Sequence, residues 1–215
     1  MKRKKIIIGK NGRKIMIVGR SGSGKDTLAA LLTNRFGMDQ LCSTTTRPRR
    51  YEGEATHVFV SEEEANLMTE RVAETVIDGY QYFATKGQFE ECDIYVIDPR
   101  GLECVCENAQ DTELCVVYVN ASHDTRLNRA KKRADDPELA EKVFESRHSD
   151  ENAMFEEFES YAYSDADTFA NKYPTTKVIV TIGNDEDDIA RMERIAAQIA
   201  TKAYQDTDKP VVIRY

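Results

Sequence analysis

Nine residues limit this chain more than any other stretch: Gly19-Arg20-Ser21-Gly22-Ser23-Gly24-Lys25-Asp26-Thr27. They follow the apolar run Lys14–Val18 and open a helix-like stretch, Lys25–Phe36. Glycines in such a turn let successive backbone N–H groups point inward at the positive end of a helix, an arrangement that embraces a polyphosphate. Lys25 stands where a lysine bridges the β- and γ-phosphates. The next residue is ordinarily Ser or Thr, whose hydroxyl ligates Mg²⁺. Here it is Asp26, and a carboxylate is also a hard oxygen ligand for that ion. Gly19, Ser21, Gly22, Ser23, Gly24, Lys25, Asp26 and Thr27 are therefore the expected nucleotide-binding residues.

The rest of the chain supplies the frame such a loop needs. Apolar runs at 14–18, 93–97, 114–119 and 177–182 are rich in Val and Ile on consecutive positions, as parallel strands buried on both faces are. Helix-like stretches lie between them at 25–36, 100–109, 122–133 and 185–204. Strand alternating with helix predicts an α/β fold with a mostly parallel sheet. A length of 215 residues and an apolar fraction of 40% suit one large domain with a substantial insertion. The net charge of −8 excludes a general nucleic-acid coat or a polybasic membrane binder, so no nucleic-acid or membrane partner is expected. Five cysteines without a C-x-x-C pair indicate neither a disulfide framework nor a zinc site, which suits a reducing cytoplasm. Behind the basic Met1–Lys5 start only Ile6, Ile7 and Ile8 are apolar, too few for a secretory or membrane segment.

Two segments interrupt the alternation. Residues 42–91 hold a Thr-, Arg- and Pro-rich loop, a strand-like 57–60, a capping box at Ser61-Glu62-Glu63-Glu64 and a hairpin around Asp78-Gly79. Residues 134–168 are charged and helical, with Met154, Phe155, Phe158 and Tyr161 on one apolar stripe. At the ends, Asn11-Gly12 predicts a hairpin joining residues 5–8 to 13–18, with 211–213 as its third strand.

A phosphate loop alone does not separate a hydrolase from a kinase. The segment Ser43-Thr44-Thr45-Thr46-Arg47-Pro48-Arg49-Arg50-Tyr51-Glu52-Gly53-Glu54, then His57-Val58-Phe59-Val60-Ser61, resembles the nucleotide-monophosphate-binding signature of the guanylate kinase family. The similarity continues through Glu74, residues 80–85, Asp98-Pro99-Arg100-Gly101, residues 122–133 and Arg147, spanning roughly 15–200. The resemblance implies a P-loop kinase fold: a central sheet flanked by helices (14–41, 92–125, 169–205), an acceptor-binding subdomain (42–91), and a lid with its following helix (126–168). It implies an ATP- and Mg²⁺-dependent nucleoside-monophosphate kinase making GDP and ADP from GMP and ATP, with small nucleotides as partners.

The implied roles agree with side-chain chemistry. Arg47 and Arg50 would grip the acceptor phosphate through guanidinium forks. Glu74 would accept from guanine N1–H and N2–H, while Ser43 and Thr85 donate to O6. Asp98, ending a buried strand, would face the acceptor base and, with Asp26, the metal. Arg129, Arg133 and Arg147 match lid arginines and, with Lys25, would be the catalytic cations. The family also holds its acceptor phosphate with two tyrosines; here those positions are His57 and Phe83, with Ala84 in place of glycine and Tyr82 alongside. Those departures keep two alternatives in view: a different acceptor, such as a deoxynucleotide or other small phosphorylated metabolite, and a non-catalytic interaction domain.

Overall fold

The computed structural model describes residues 13–203, 207 and 209–215. The chain enters through β1 (Lys14–Val18) and α1 (Lys25–Phe36). It then makes an excursion through β2 (Thr44–Thr45), β3 (Val58–Phe59), α2 (Glu62–Leu67), β4 (Arg71–Ile77), β5 (Tyr80–Thr85) and α3 (Lys86–Glu91). It returns through β6 (Ile94–Ile97), α4 (Pro99–Asn108), β7 (Leu114–Asn120) and α5 (His123–Lys132). The long α6 (Pro137–Ala162) and short α7 (Ala166–Lys172) precede β8 (Thr176–Gly183), α8 (Ile189–Lys202) and β9 (Val211–Arg214).

The central sheet has the order β6-β1-β7-β8-β9, and every neighbouring pair is parallel. Consecutive apolar residues make this possible, because the pleat sends alternate side chains into two separate cores. Met16, Val18, Val116 and Tyr118 meet Leu102, Val105, Phe155, Phe158 and Phe169 on one side. Ile15, Ile17, Cys115, Val117 and Val180 meet Leu28, Leu32, Ile195 and Ile199 on the other. The result is a three-layer α/β sandwich with the loop after β1 at the carboxyl end of a central strand, where ligands of open α/β sheets bind. Among the described residues, no helix is long and apolar enough to cross a membrane.

The excursion forms a second sheet, β3-β2-β5-β4. Asp78 and Gly79 both take positive φ, 53° and 80°, as the two-residue β4–β5 turn requires. The Ser61 capping box starts α2, and a second one, Thr85 with Gln88, starts α3. Ala73 and Ala84, on one face of the hairpin, pack into the core beside Leu102 and Val105 of α4. On the far side, α5 and α6 lie together, joined by Lys131–Glu141 at 2.7 Å and His123–Glu145 at 3.0 Å.

One expectation at the ends is corrected. Residues 211–213 do not lie beside 13–18; they form β9 and extend the central sheet beside β8, Val178 opposite Val211 and Val180 opposite Ile213. Half-buried Val211 and Ile213 pack against the apolar core, which fixes that choice of partner. The rest of the expected hairpin, residues 5–8 and the turn at Asn11-Gly12, lies outside the described residues.

Candidate functional site

The loop after β1 is shaped for an anion by what surrounds it. Gly24 is the N-cap of α1 with φ 100°, and no side chain caps that helix end. The first helical bond there runs from Leu28 N–H to Gly24 O, so the N–H groups of the first turn have no helical acceptor. Gly19 is required by crowding: a Cβ there would lie 2.5 Å from the Val119 carbonyl and from Ser23 Oγ. At Gly22, with φ 80°, a Cβ would press on the Arg126 backbone at 3.1–3.2 Å. Ser23 is fully buried, and its hydroxyl has no hydrogen-bond partner in the structure. Lys25 rests against Asp26 at 3.1 Å, while Asp26 and Thr27 are exposed at the mouth of the loop.

The arginines divide into held and free. Arg129 is held: Nη1 donates to Gly22 O at 3.1 Å and Ser23 O at 3.4 Å, Nη2 to Asn184 O at 2.9 Å, and Nε to Asp187 at 2.9 Å. That guanidinium keeps the Asp187 carboxyl below its usual range. Arg133 ends α5 and donates to Arg129 O; it and Arg147 are otherwise exposed, with no carboxylate partner among the described residues. Two further arginines join the site that sequence reasoning did not single out. Arg20, inside the loop, is buried against α6: it stacks 4.9 Å over Phe155 and bonds Glu159 at 3.1 Å and Asn152 at 3.2 Å. Arg126 of α5 is 3% exposed, reaches Ala121 O at 3.1 Å and Ser21 O at 3.5 Å, and makes no salt bridge among the described residues. Burial, then the Arg20 charge, lowers its pKa. Both lie close in sequence to motif residues, but their reach to the loop or to α6 is visible only in three dimensions.

In the second sheet several acceptor candidates come together. Ser43 Oγ and His57 Nδ1 are 2.9 Å apart, and the His57 ring meets Tyr82 edge-on at 5.5 Å. Burial, then the nearby Arg47 charge, lowers the His57 pKa, which favours the neutral ring. Arg47 is buried and engaged by Glu54, Nη2 to Oε1 at 2.8 Å, with its Nη1 donating to Pro48 O at 2.8 Å. Glu54 also accepts from Arg50 N–H at 2.7 Å and Thr56 Oγ1 at 3.0 Å. This knot braces the 47–56 loop and leaves the Arg50 side chain exposed.

Glu74 and Thr85 lie on β4 and β5, each with a partner of its own. Glu74 lies opposite Phe83 in the ladder, and Phe83 and Tyr82 point to opposite faces. Glu74 therefore shares the reverse face with Phe83 and Arg71: Arg71 stacks 3.9 Å over the Phe83 ring and bonds Glu74 at 3.0 Å. On the Tyr82 face its neighbour Thr75 takes that place. The Thr85 hydroxyl is occupied as the cap of α3. Asp98 ends β6 and caps α4 by accepting from Gly101 N–H at 2.9 Å; burial raises its pKa.

As for a metal, no cluster of three or more His, Cys, Asp or Glu side chains is present among the described residues. Mg²⁺ beside a nucleotide is ordinarily held by one or two carboxylates plus substrate phosphates rather than by an all-protein cage. Asp26, exposed beside the loop, fits such a role, whereas Asp98 already spends one oxygen on its helix.

Comparisons with known proteins agree with this geometry. Residues 15–154 match the family described as "AAA domain". The crystal structure of guanylate kinase from Anaplasma phagocytophilum superposes with a TM-score of 0.52 at 19% identity, over 91% of this chain and 88% of that one. At that identity the likeness is one of fold. No curated protein matches the chain. The chain thus belongs to the AAA domain family and has a guanylate kinase-like P-loop fold.

Proposed function

We propose that the chain is an ATP-dependent phosphotransferase that passes the terminal phosphoryl group to a nucleoside monophosphate, with GMP as the first acceptor: GMP + ATP to GDP + ADP. The observation that carries phosphoryl transfer is the uncapped first turn of α1 with Lys25 beside it; Ser43, His57 and the exposed Arg50 side chain in the second sheet supply the candidate acceptor surface. Two anion sites across one cleft are what joining two phosphates requires. No strong base is needed, because the acceptor is already an anion; catalysis is in-line placement and charge neutralisation. Lys25 neutralises the transferred group, with Arg126 adjoining the loop and Arg133 and Arg147 free to approach. Asp26, together with the phosphates, would hold Mg²⁺, which would further neutralise the polyphosphate.

A second reading keeps the chemistry and changes the acceptor to a deoxynucleotide or other small phosphorylated metabolite. The departures at His57 and Phe83, where the resembled family holds its acceptor phosphate with tyrosines, favour it, as does the engagement of Glu74 by Arg71 at 3.0 Å. The test is ADP release by purified protein with ATP, Mg²⁺ and a panel of monophosphates. Fastest turnover of GMP supports the first reading. Turnover of another acceptor with GMP inert supports the second, and no turnover of any phosphate acceptor overturns both.

A further inference from the structure

Asn184 closes β8 from the far side of the loop. It is 7% exposed, its backbone N–H donates to Asn120 O at 2.7 Å, and its Nδ2 donates to Ser23 O at 2.7 Å. A Cβ on Gly24 would come 2.3 Å from that Nδ2, so the glycine and the asparagine are fitted to each other. Arg129 grips the same carbonyl at 3.4 Å and its neighbour, Gly22 O, at 3.1 Å, while its other branch holds Asn184 O at 2.9 Å. Four backbone carbonyls, of Gly22, Ser23, Asn184 and Glu186, and the Asp187 carboxylate thus occupy this guanidinium.

The peptide between Ser23 and Gly24 is planar and trans, so its carbonyl and N–H point in opposite directions. Pinning Ser23 O outward leaves the Gly24 N–H facing the side on which a phosphate lies. The neighbouring Ser23 N–H is already spent on Arg20 O at 3.1 Å, whereas the Gly24 N–H has no protein acceptor among the described residues. We propose that Asn184 and Arg129 are positioning residues for the phosphate loop: they set the Ser23–Gly24 peptide so that its N–H meets phosphate, and they do not read the nucleotide's base. This rests on the phosphate-loop reading above.

The experiment compares ATP with inorganic tripolyphosphate, which has no base, in the full chain with Mg²⁺. Affinities come from calorimetry, and the Gly24 amide is followed by ¹⁵N–¹H correlation spectra. In Asn184→Ala, both ligands are expected to weaken together by about tenfold, the loss of one well-placed hydrogen bond. The downfield shift of the Gly24 amide on tripolyphosphate binding should shrink with it. Arg129→Lys, which keeps charge without the fork, serves as the second variant if Asn184→Ala fails to fold, and should show the same paired loss. Weakened ATP with unchanged tripolyphosphate overturns the proposal and makes the pair base readers. Unchanged affinity for both, with the amide shift intact, also overturns it. A wild-type chain that binds neither ligand removes the phosphate-loop reading itself, and the proposal with it.

Discussion

Lys25 carries the largest single consequence of any side chain in this molecule. It sits partly exposed on α1 against Asp26, so its replacement leaves both cores untouched. Lys25→Ala is expected to lower kcat by at least about a hundredfold, the scale of losing one preorganised electrostatic contact, with an unchanged melting temperature. Near-normal turnover in a steady-state assay would remove Lys25 from the chemistry. The two faces of the hairpin give a contrasting pair. Tyr82→Phe deletes a hydroxyl close to Arg47 and His57 and should raise the acceptor KM by about three- to tenfold. Glu74→Gln, on the reverse face, should leave it unchanged within about twofold; the opposite ranking would mean that the hairpin presents its other side to the acceptor. Residue identity and spacing revealed the phosphate loop, because its strand, glycines and lysine are local. They did not reveal which face of a strand meets the cleft, since alternation specifies two faces without naming the inner one. Nor did they reveal Arg20 and Arg126, whose reach to α6 and the loop depends on segments more than a hundred residues away.

Among the elements, the 47–56 loop has a pH signature of its own. The bonds from Arg47, then from Arg50 N–H, lower the Glu54 pKa from 4.5 to about 2. A carboxyl with a depressed folded pKa contributes stability that is fully present above its unfolded value and is lost as pH falls through the folded one. Protection of this loop in limited proteolysis should therefore persist near pH 5 and decline between about pH 4.5 and 2. Glu54→Gln should show weak protection at every pH, because an amide cannot form the charged pair with Arg47. A loop equally protected at pH 5 in both forms would show that the ion pair does not brace it. The strand–helix alternation and the Ser61 capping box in the 42–91 segment were readable from short-range chemistry, whereas the Thr85–Gln88 box was not singled out. The pairing of β9 was not, because a parallel partner is chosen by packing across the sheet rather than by a turn.

On the scale of the molecule, β9 ties together parts that act on the nucleotide. It covers the edge of β8, whose end carries Asn184, and Arg214 donates to the Tyr163 and Ser164 carbonyls at 3.1 Å at the end of α6. Removing residues 211–215 exposes three half-buried apolar side chains, about 3 kcal/mol in all. For a domain of this size that corresponds to a fall of about 6–12 °C in Tm by calorimetry. A change below about 2 °C would make β9 a passive appendage.

The knot of Arg47 with Glu54 has one more consequence. Glu54 braces the Arg47 side chain and the Arg50 N–H, so on the proposed reading the acceptor turn is already shaped for a monophosphate. Monophosphate capture should then proceed without a slow ordering phase: stopped-flow traces at rising acceptor concentration should show one exponential, linear in concentration, rather than a plateau set by loop folding.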